Sequence, residues 1–283
     1  MPHSNRKRNL NHHKRLEVTD SSGWTHVTAG GKSARRALRP TQQHHDNPEQ
    51  GKQSQILVPA EAPAQLNLED LQTQFWGYRQ RWEGSDSWRV VERALSSAPV
   101  KVDRIVCIGL GSPSGFLKGG WVDRRSVSMY QLAGLVSVVD LMSESYVLDL
   151  LPFYRRVDIL HTDVVRLEKS IPNLEVFAQD PVFNTHDRSL LASLDITVLD
   201  HPHGFEKVSP STLLYCPGAE RTHLEQLLSH APALVFGGPL EDIESDAVRQ
   251  FVESRLSVKI SRFEDMEHAF WNMRVYSPEE CEQ

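Results

Sequence analysis

Between Arg104 and Arg262 the chain alternates short runs of apolar, β-branched residues with longer stretches of helical periodicity. That alternation restricts the fold more than any other feature. The first run, Arg104-Ile105-Val106-Cys107-Ile108, is apolar at consecutive positions, as a strand covered on both faces must be. It opens into Gly109-Leu110-Gly111-Ser112. Further strands are expected at Leu174–Ala178, Ile196–Leu199, Thr212–Tyr215, Ala233–Phe236 and Ser257–Arg262. Helices are expected between them, at Ser126–Met142, Asp187–Leu194, Arg221–Ser229 and Ile243–Phe251. Strands separated by helices need crossover connections. The pattern therefore predicts an α/β, Rossmann-like domain, a mostly parallel sheet with helices on both faces, over residues 66–278. Two helices precede the sheet: Leu68, Leu71, Phe75 and Tyr78 recur at helical spacing, and Trp88–Ala98 stops before Pro99. Additional helical turns are expected around Leu148–Tyr154 and Asp163–Ser170.

Residues 1–63 read differently. They are rich in His, Asn, Gln, Ser, Pro and Gly and show no sustained apolar period, so they cannot bury enough surface to offset ordering entropy. A disordered, basic N-terminal tail is expected there. It carries ten Lys/Arg against five Asp/Glu, which leaves 21 against 32 in the rest of the 283 residues. A body that acidic repels a phosphate backbone, so nucleic acid is not expected as its partner. Arg6-Lys7-Arg8 with Lys14-Arg15 reads as a solvated tail, as a nuclear import signal or as an arm that touches nucleic acid. The island Gly23-Trp24-Thr25-His26-Val27 reads as a docking motif.

No run reaches the roughly 18 apolar residues of a membrane span, and no apolar segment follows the basic N-terminus. The expectation is a cytoplasmic protein, with a nuclear location left open, and no membrane partner. Cys107, Cys216 and Cys281 form no CxxC pair; the first two lie inside apolar runs and read as buried structural thiols.

In a doubly wound sheet, ligands sit at the carboxyl ends of the strands. Four loops fall there: Gly109–Gly115, Gln179–Asn184, Tyr215–Gly218 and Gly237–Pro239. The first, Gly109-Leu110-Gly111-Ser112-Pro113-Ser114-Gly115, is one residue longer than the dinucleotide fingerprint. Its small residues let backbone N–H groups approach an anion, with the Ser112 and Ser114 hydroxyls assisting; a plain glycine turn leaving a central strand is the competing reading. Asp180 stands where nucleotide folds place a ribose-binding acid, or else merely shapes an Asp-Pro turn. His201 and His203 flank Pro202 without a third metal ligand and read as loop histidines. No metal site is expected.

Four segments occur in one order: Ile105-Val106-Cys107-Ile108-Gly109-Leu110-Gly111-Ser112, Tyr130-Gln131-Leu132-Ala133, Gln179-Asp180-Pro181-Val182-Phe183, and Thr212-Leu213-Leu214-Tyr215-Cys216-Pro217. In this series the chain resembles the sensitivity-to-red-light-reduced family, and Trp24-Thr25-His26-Val27 resembles the tryptophan motif often found upstream in it. The resemblance implies a regulatory role in circadian clock input, light signalling or haem biosynthesis, and no established reaction. Two departures stand out. Pro217 is followed by Gly218-Ala219 where the family commonly has His-Cys, and Gly237-Gly238-Pro239 stands where it often has Gly-Asn-Ser.

The ligand-binding candidates are thus Gly109, Gly111, Ser112, Ser114, Gln131, Asp180 and Tyr215. The leading expectation is a regulator whose body binds a small ligand or a partner protein without turnover. The alternative is an enzyme using a nucleotide or S-adenosylmethionine as cofactor.

Overall fold

The computed structural model describes residues 16–19, 25–28, 59–116, 123–154 and 174–279. The chain forms two units, Met1–Ile56 and Leu57–Gln283. In the first, β1 (Leu16–Thr19) and β2 (Thr25–Thr28) pair antiparallel, with Leu16 opposite Thr28 and Thr19 opposite Thr25. The sequence suggested no strand there. The basic runs, Trp24, the Asp163–Ser170 turns and Cys281 lie outside the described residues.

The second unit begins its regular structure with α1 (Leu68–Glu83), started by Asn67, whose side chain accepts from the Asp70 N–H. Leu71, Phe75 and Trp82 form its buried stripe. Next comes α2 (Asp86–Ser96), capped in the same way by Ser85 and stopping ahead of Pro99. Then follow β3 (Arg104–Ile108) and α3 (Arg125–Tyr154). The alternation continues with β4 (Glu175–Gln179), α4 (Thr185–Ala192), β5 (Thr197–Val198), β6 (Thr212–Cys216) and α5 (Arg221–Leu228). It closes with β7 (Leu234–Gly237), α6 (Asp246–Glu253), β8 (Arg255–Lys259) and β9 (Arg274–Pro278).

The seven strands of this unit lie in the order β5-β4-β3-β6-β7-β9-β8. β3 pairs parallel with β4 and β6, β4 with β5, and β6 with β7, whereas β9 runs antiparallel between β7 and β8. The α/β, mostly parallel architecture expected from the alternation is present. The strand β9 was not anticipated: it is five residues long and follows a turn at Trp271-Asn272, so it announces no crossover.

Alternation along each strand divides two cores. Ile105 and Cys107 of β3 face one core, together with Leu71, Phe75, Trp82, Leu132, Leu135 and Leu190 from α1, α3 and α4. Val106 and Ile108 face the other, with Leu224, Leu227, Val248 and Phe251 from α5 and α6. Helices thus change faces as the chain passes from the β3–β5 half to the β6–β7 half. That reversal places the topological switch point between β3 and β6.

Helix α3 contains a stretch, Arg125–Ser145, apolar enough to cross a bilayer, but 72% of its most apolar window is buried inside the protein. It is the central helix of a core. It also extends past Met142, the expected end, through the Leu148–Tyr154 turns to make 30 residues.

Candidate functional site

The loop after β3 leaves the sheet through two glycines with left-handed backbone, Gly109 at φ +79° and Gly111 at φ +73°. A Cβ on Gly109 would lie 2.5 Å from the carbonyl carbon of Gly218, so the loops after β3 and β6 touch backbone to backbone across the switch point. A Cβ on Gly218 would in turn lie 2.5 Å from the Gly109 oxygen. The residue that departs from the family's His-Cys is therefore one for which no side chain fits at this distance.

Beyond Gly109 the loop is held by side chains from the loop after β4. Asp180 accepts from the Gly111 N–H at 2.7 Å through Oδ2 and from the Val182 N–H at 3.0 Å through Oδ1. Asp187, fully buried, accepts from the Ser112 hydroxyl at 2.6 Å, the Ser114 N–H at 2.9 Å and the Asn184 N–H at 3.0 Å. The Ser112 hydroxyl accepts from the Gly115 N–H at 2.9 Å, and Asn184 Nδ2 donates to Ser114 Oγ at 2.9 Å. Asn184 and Asp187 are also the capping box of α4, so one local motif starts the helix and fastens the loop. An N-terminal strap completes the clamp. The Ala60 N–H donates to the Val182 oxygen, and Glu61 and Phe116 exchange two backbone hydrogen bonds.

Four of the loop's N–H groups are thus occupied. Those of Gly109, Gly111, Ser114 and Gly115 all donate to protein acceptors, and Pro113 has none to give. Two carboxylates stand beside the loop as well. Burial pushes the Asp180 carboxyl above the usual Asp value, opposed by its two N–H donors and by His223, with the charge of Asp187 adding to the rise.

Gly109, Gly111, Ser112, Ser114 and Asp180 therefore meet at the strand ends. Gln131 and Tyr215 sit deeper. The Tyr215 hydroxyl donates to the Gln131 carbonyl at 2.8 Å, and Gln131 Nε2 donates to the Ala269 oxygen at 2.8 Å, all inside the first core. Burial raises the Tyr215 hydroxyl well above its ordinary pKa, and also the Cys107 thiol; Cys216 is pushed up to about 12. Both cysteines are buried and free, as expected.

Next to Asp180 the strand-end crest carries two imidazoles, one of which sequence reasoning passed over. His201, Phe205 and His223 form a ring cluster, with centroids 5.3 Å apart for each histidine to Phe205 and 6.1 Å between the histidines. Gln179 orients the first. Its Oε1 accepts from the Gly204 N–H at 2.7 Å, which turns Nε2 toward His201 Nδ1 at 3.2 Å. The amide therefore donates and Nδ1 accepts, leaving the Nε2–H of an exposed ring for an incoming group. His223 comes from α5 and shows no local motif; only the parallel β6 crossover brings it to His201. Among the described residues, no group of three or more His, Cys, Asp or Glu could hold a metal ion.

The four motif segments that carried the resemblance converge on this latch and on the core behind it. A family model, the SRR1 domain, matches residues 69–277, from α1 into β9. No curated protein and no solved structure matches the chain. With three quarters of its length inside that match, the chain belongs to the SRR1 domain family and is a regulatory, SRR1-like protein.

Proposed function

We propose that this chain regulates circadian clock input, light signalling or haem biosynthesis by binding, without turning over a substrate. Its receiving surface is the strand-end crest of Gly109, Asp180, His201 and His223, and the ligand is a partner protein or a small molecule. One observation carries the reading: four of the glycine loop's amides, those of Gly109, Gly111, Ser114 and Gly115, donate to the protein's own acceptors. In a nucleotide-using enzyme these groups face the phosphates. Here they fasten two loops, and Ser112, Ser114, Gln131 and Tyr215 support the crest from behind. Cytoplasmic action fits such a role, with nuclear entry through the basic N-terminal run as its variant.

One feature supports a second reading. Counted from β3, the sheet order is 3-2-1-4-5-7-6 with the seventh strand antiparallel, so the crest lies at the switch point where doubly wound nucleotide folds hold a cofactor. Native mass spectrometry and thermal-shift titration of the full chain with nucleotides, S-adenosylmethionine and haem separate the two. The binding reading expects that any ligand retained is recovered unchanged and is weakened by His223→Ala. Consumption of S-adenosylmethionine, abolished by Asp180→Asn, would establish the enzyme instead.

A further inference from the structure

A cavity of about 270 Å³ lies on the far side of the glycine loop from the crest, between α1 and the first turns of α3, with Pro113 and Ser114 as one wall. Its size matters first: pockets for drug-sized ligands span about 300–1,000 Å³, so this one holds a molecule of roughly amino-acid size and not a nucleotide. The lining divides by chemistry. Leu66, Leu71 and Met129 supply an apolar floor. Gln74, Tyr78 and Ser126 supply polar groups, with the Tyr78 and Ser126 hydroxyls 3.0 Å apart.

Asp123 and Arg125 bring opposite charges to the same rim. The Arg125 Nε approaches the two Asp123 oxygens at 2.9 and 3.1 Å, and the guanidinium lies 5.6 Å from the Phe116 ring. Each partner keeps the other ionised: Arg125 lowers the Asp123 carboxyl and Asp123 raises the guanidinium. A simple anion placed here meets Asp123 as well as Arg125, and a simple cation meets the reverse conflict. A zwitterion meets neither, because its two charges align against the fixed pair.

We propose that this cavity binds a free α-amino acid with an apolar side chain, its carboxylate on Arg125, its ammonium on Asp123 and its side chain against Leu66, Leu71 and Met129. The site is separate from the crest, so neither proposal depends on the other. It also reaches the N-terminal strap. Leu66 follows closely on Ala60 and Glu61, whose backbone bonds hold the strap against Val182 and Phe116, so an occupant supports both ends of one short segment.

Isothermal titration of the full chain with leucine, methionine and phenylalanine tests the assignment, with phenethylamine and 3-phenylpropionate as ligands lacking one charge. The expected result is saturable binding of at least one amino acid, with affinity about tenfold or more weaker when either ligand charge is missing or in Arg125→Gln. Gln74→Trp, at an exposed α1 position that lines the cavity, should abolish binding while leaving the melting temperature nearly unchanged. Three outcomes overturn the proposal: no amino-acid binding up to about 10 mM, equal binding of the amine or the acid, or undiminished binding in a folded Gln74→Trp.

Discussion

The Asp187 carboxylate meets the Ser112 hydroxyl at 2.6 Å across 75 residues of sequence, inside the protein and away from solvent. The same carboxylate takes the Ser114 and Asn184 N–H groups, so three donors, two of them buried, depend on one side chain. Removing it strands all three. Asp187→Ala should lower unfolding free energy by about 3–5 kcal/mol, because each orphaned buried donor costs about 1–3 kcal/mol and relaxation recovers part. Urea denaturation measures it, and a loss below about 1 kcal/mol would mean the latch is not structural.

The contact between Gly109 and Gly218 makes a sharper forecast. Gly109→Ala must place a side chain at φ +79° and 2.5 Å from the opposing backbone. The strain and the displacement of the β6 loop should together cost about 2–4 kcal/mol. Gly77 is the control: a Cβ there meets nothing within 4 Å, and Gly77→Ala in α1 should stabilise by about 0.5–1 kcal/mol. Similar melting temperatures for the two variants would contradict the close approach.

Asp180 predicts a pH dependence. Burial raises its folded carboxyl above the ordinary value of 3.8, so over the interval above 3.8 the folded state binds more proton than the unfolded chain. Stability attributable to this group is therefore greatest at low pH and falls as pH rises through that interval. Asp180→Asn removes the ionisation, and its stability relative to wild type should improve as pH rises from about 4 to about 7. Urea midpoints across that range decide it; a difference that is flat or has the opposite slope would rule the account out.

Tyr215 separates support from contact. Its hydroxyl is fully buried against the Gln131 carbonyl, so Tyr215→Phe should cost about 0.5–1.5 kcal/mol and leave any crest ligand's affinity within experimental error. His201→Ala should do the reverse, since that ring is exposed beyond its bond to Gln179. Paired stability and affinity measurements on the two variants check this directly.

The strap bears on where the folded body starts. Truncating the chain before Gln65 deletes the Ala60 and Glu61 backbone bonds to Val182 and Phe116, whereas truncating before Pro59 keeps them. The longer deletion should be less stable than the shorter by about 1–3 kcal/mol, measurable as a lower urea midpoint at equal slope.

The elements legible in the sequence were those whose pattern is local. Ile105 to Ile108 is a strand because consecutive β-branched and apolar residues suit a two-sided burial, and Leu68, Leu71, Phe75 and Tyr78 mark a helix because their spacing matches its turn. That Gly111 and Asp180 both stand at the carboxyl edge of the sheet followed from parallel pairing, which puts the ends of alternating strands on one side. What the sequence could not disclose was direction and occupancy. Whether the Gly111 N–H faces a ligand or a carboxylate depends on Asp180 lying 2.7 Å away, 69 residues along the chain. Asn184 and Asp187 form a helix cap that is local in sequence, but only the packing of β4 against β3 turns that cap toward Ser112. His223 and the strand β9 were equally hidden, for both owe their position to partners distant in sequence: β6 carries α5 to the crest, and β7 and β8 leave a gap that an antiparallel strand fills. Local periodicity fixes which face of an element is buried. Long-range packing decides which polar groups are left to meet a ligand, because each is either satisfied by the protein or free to act outward.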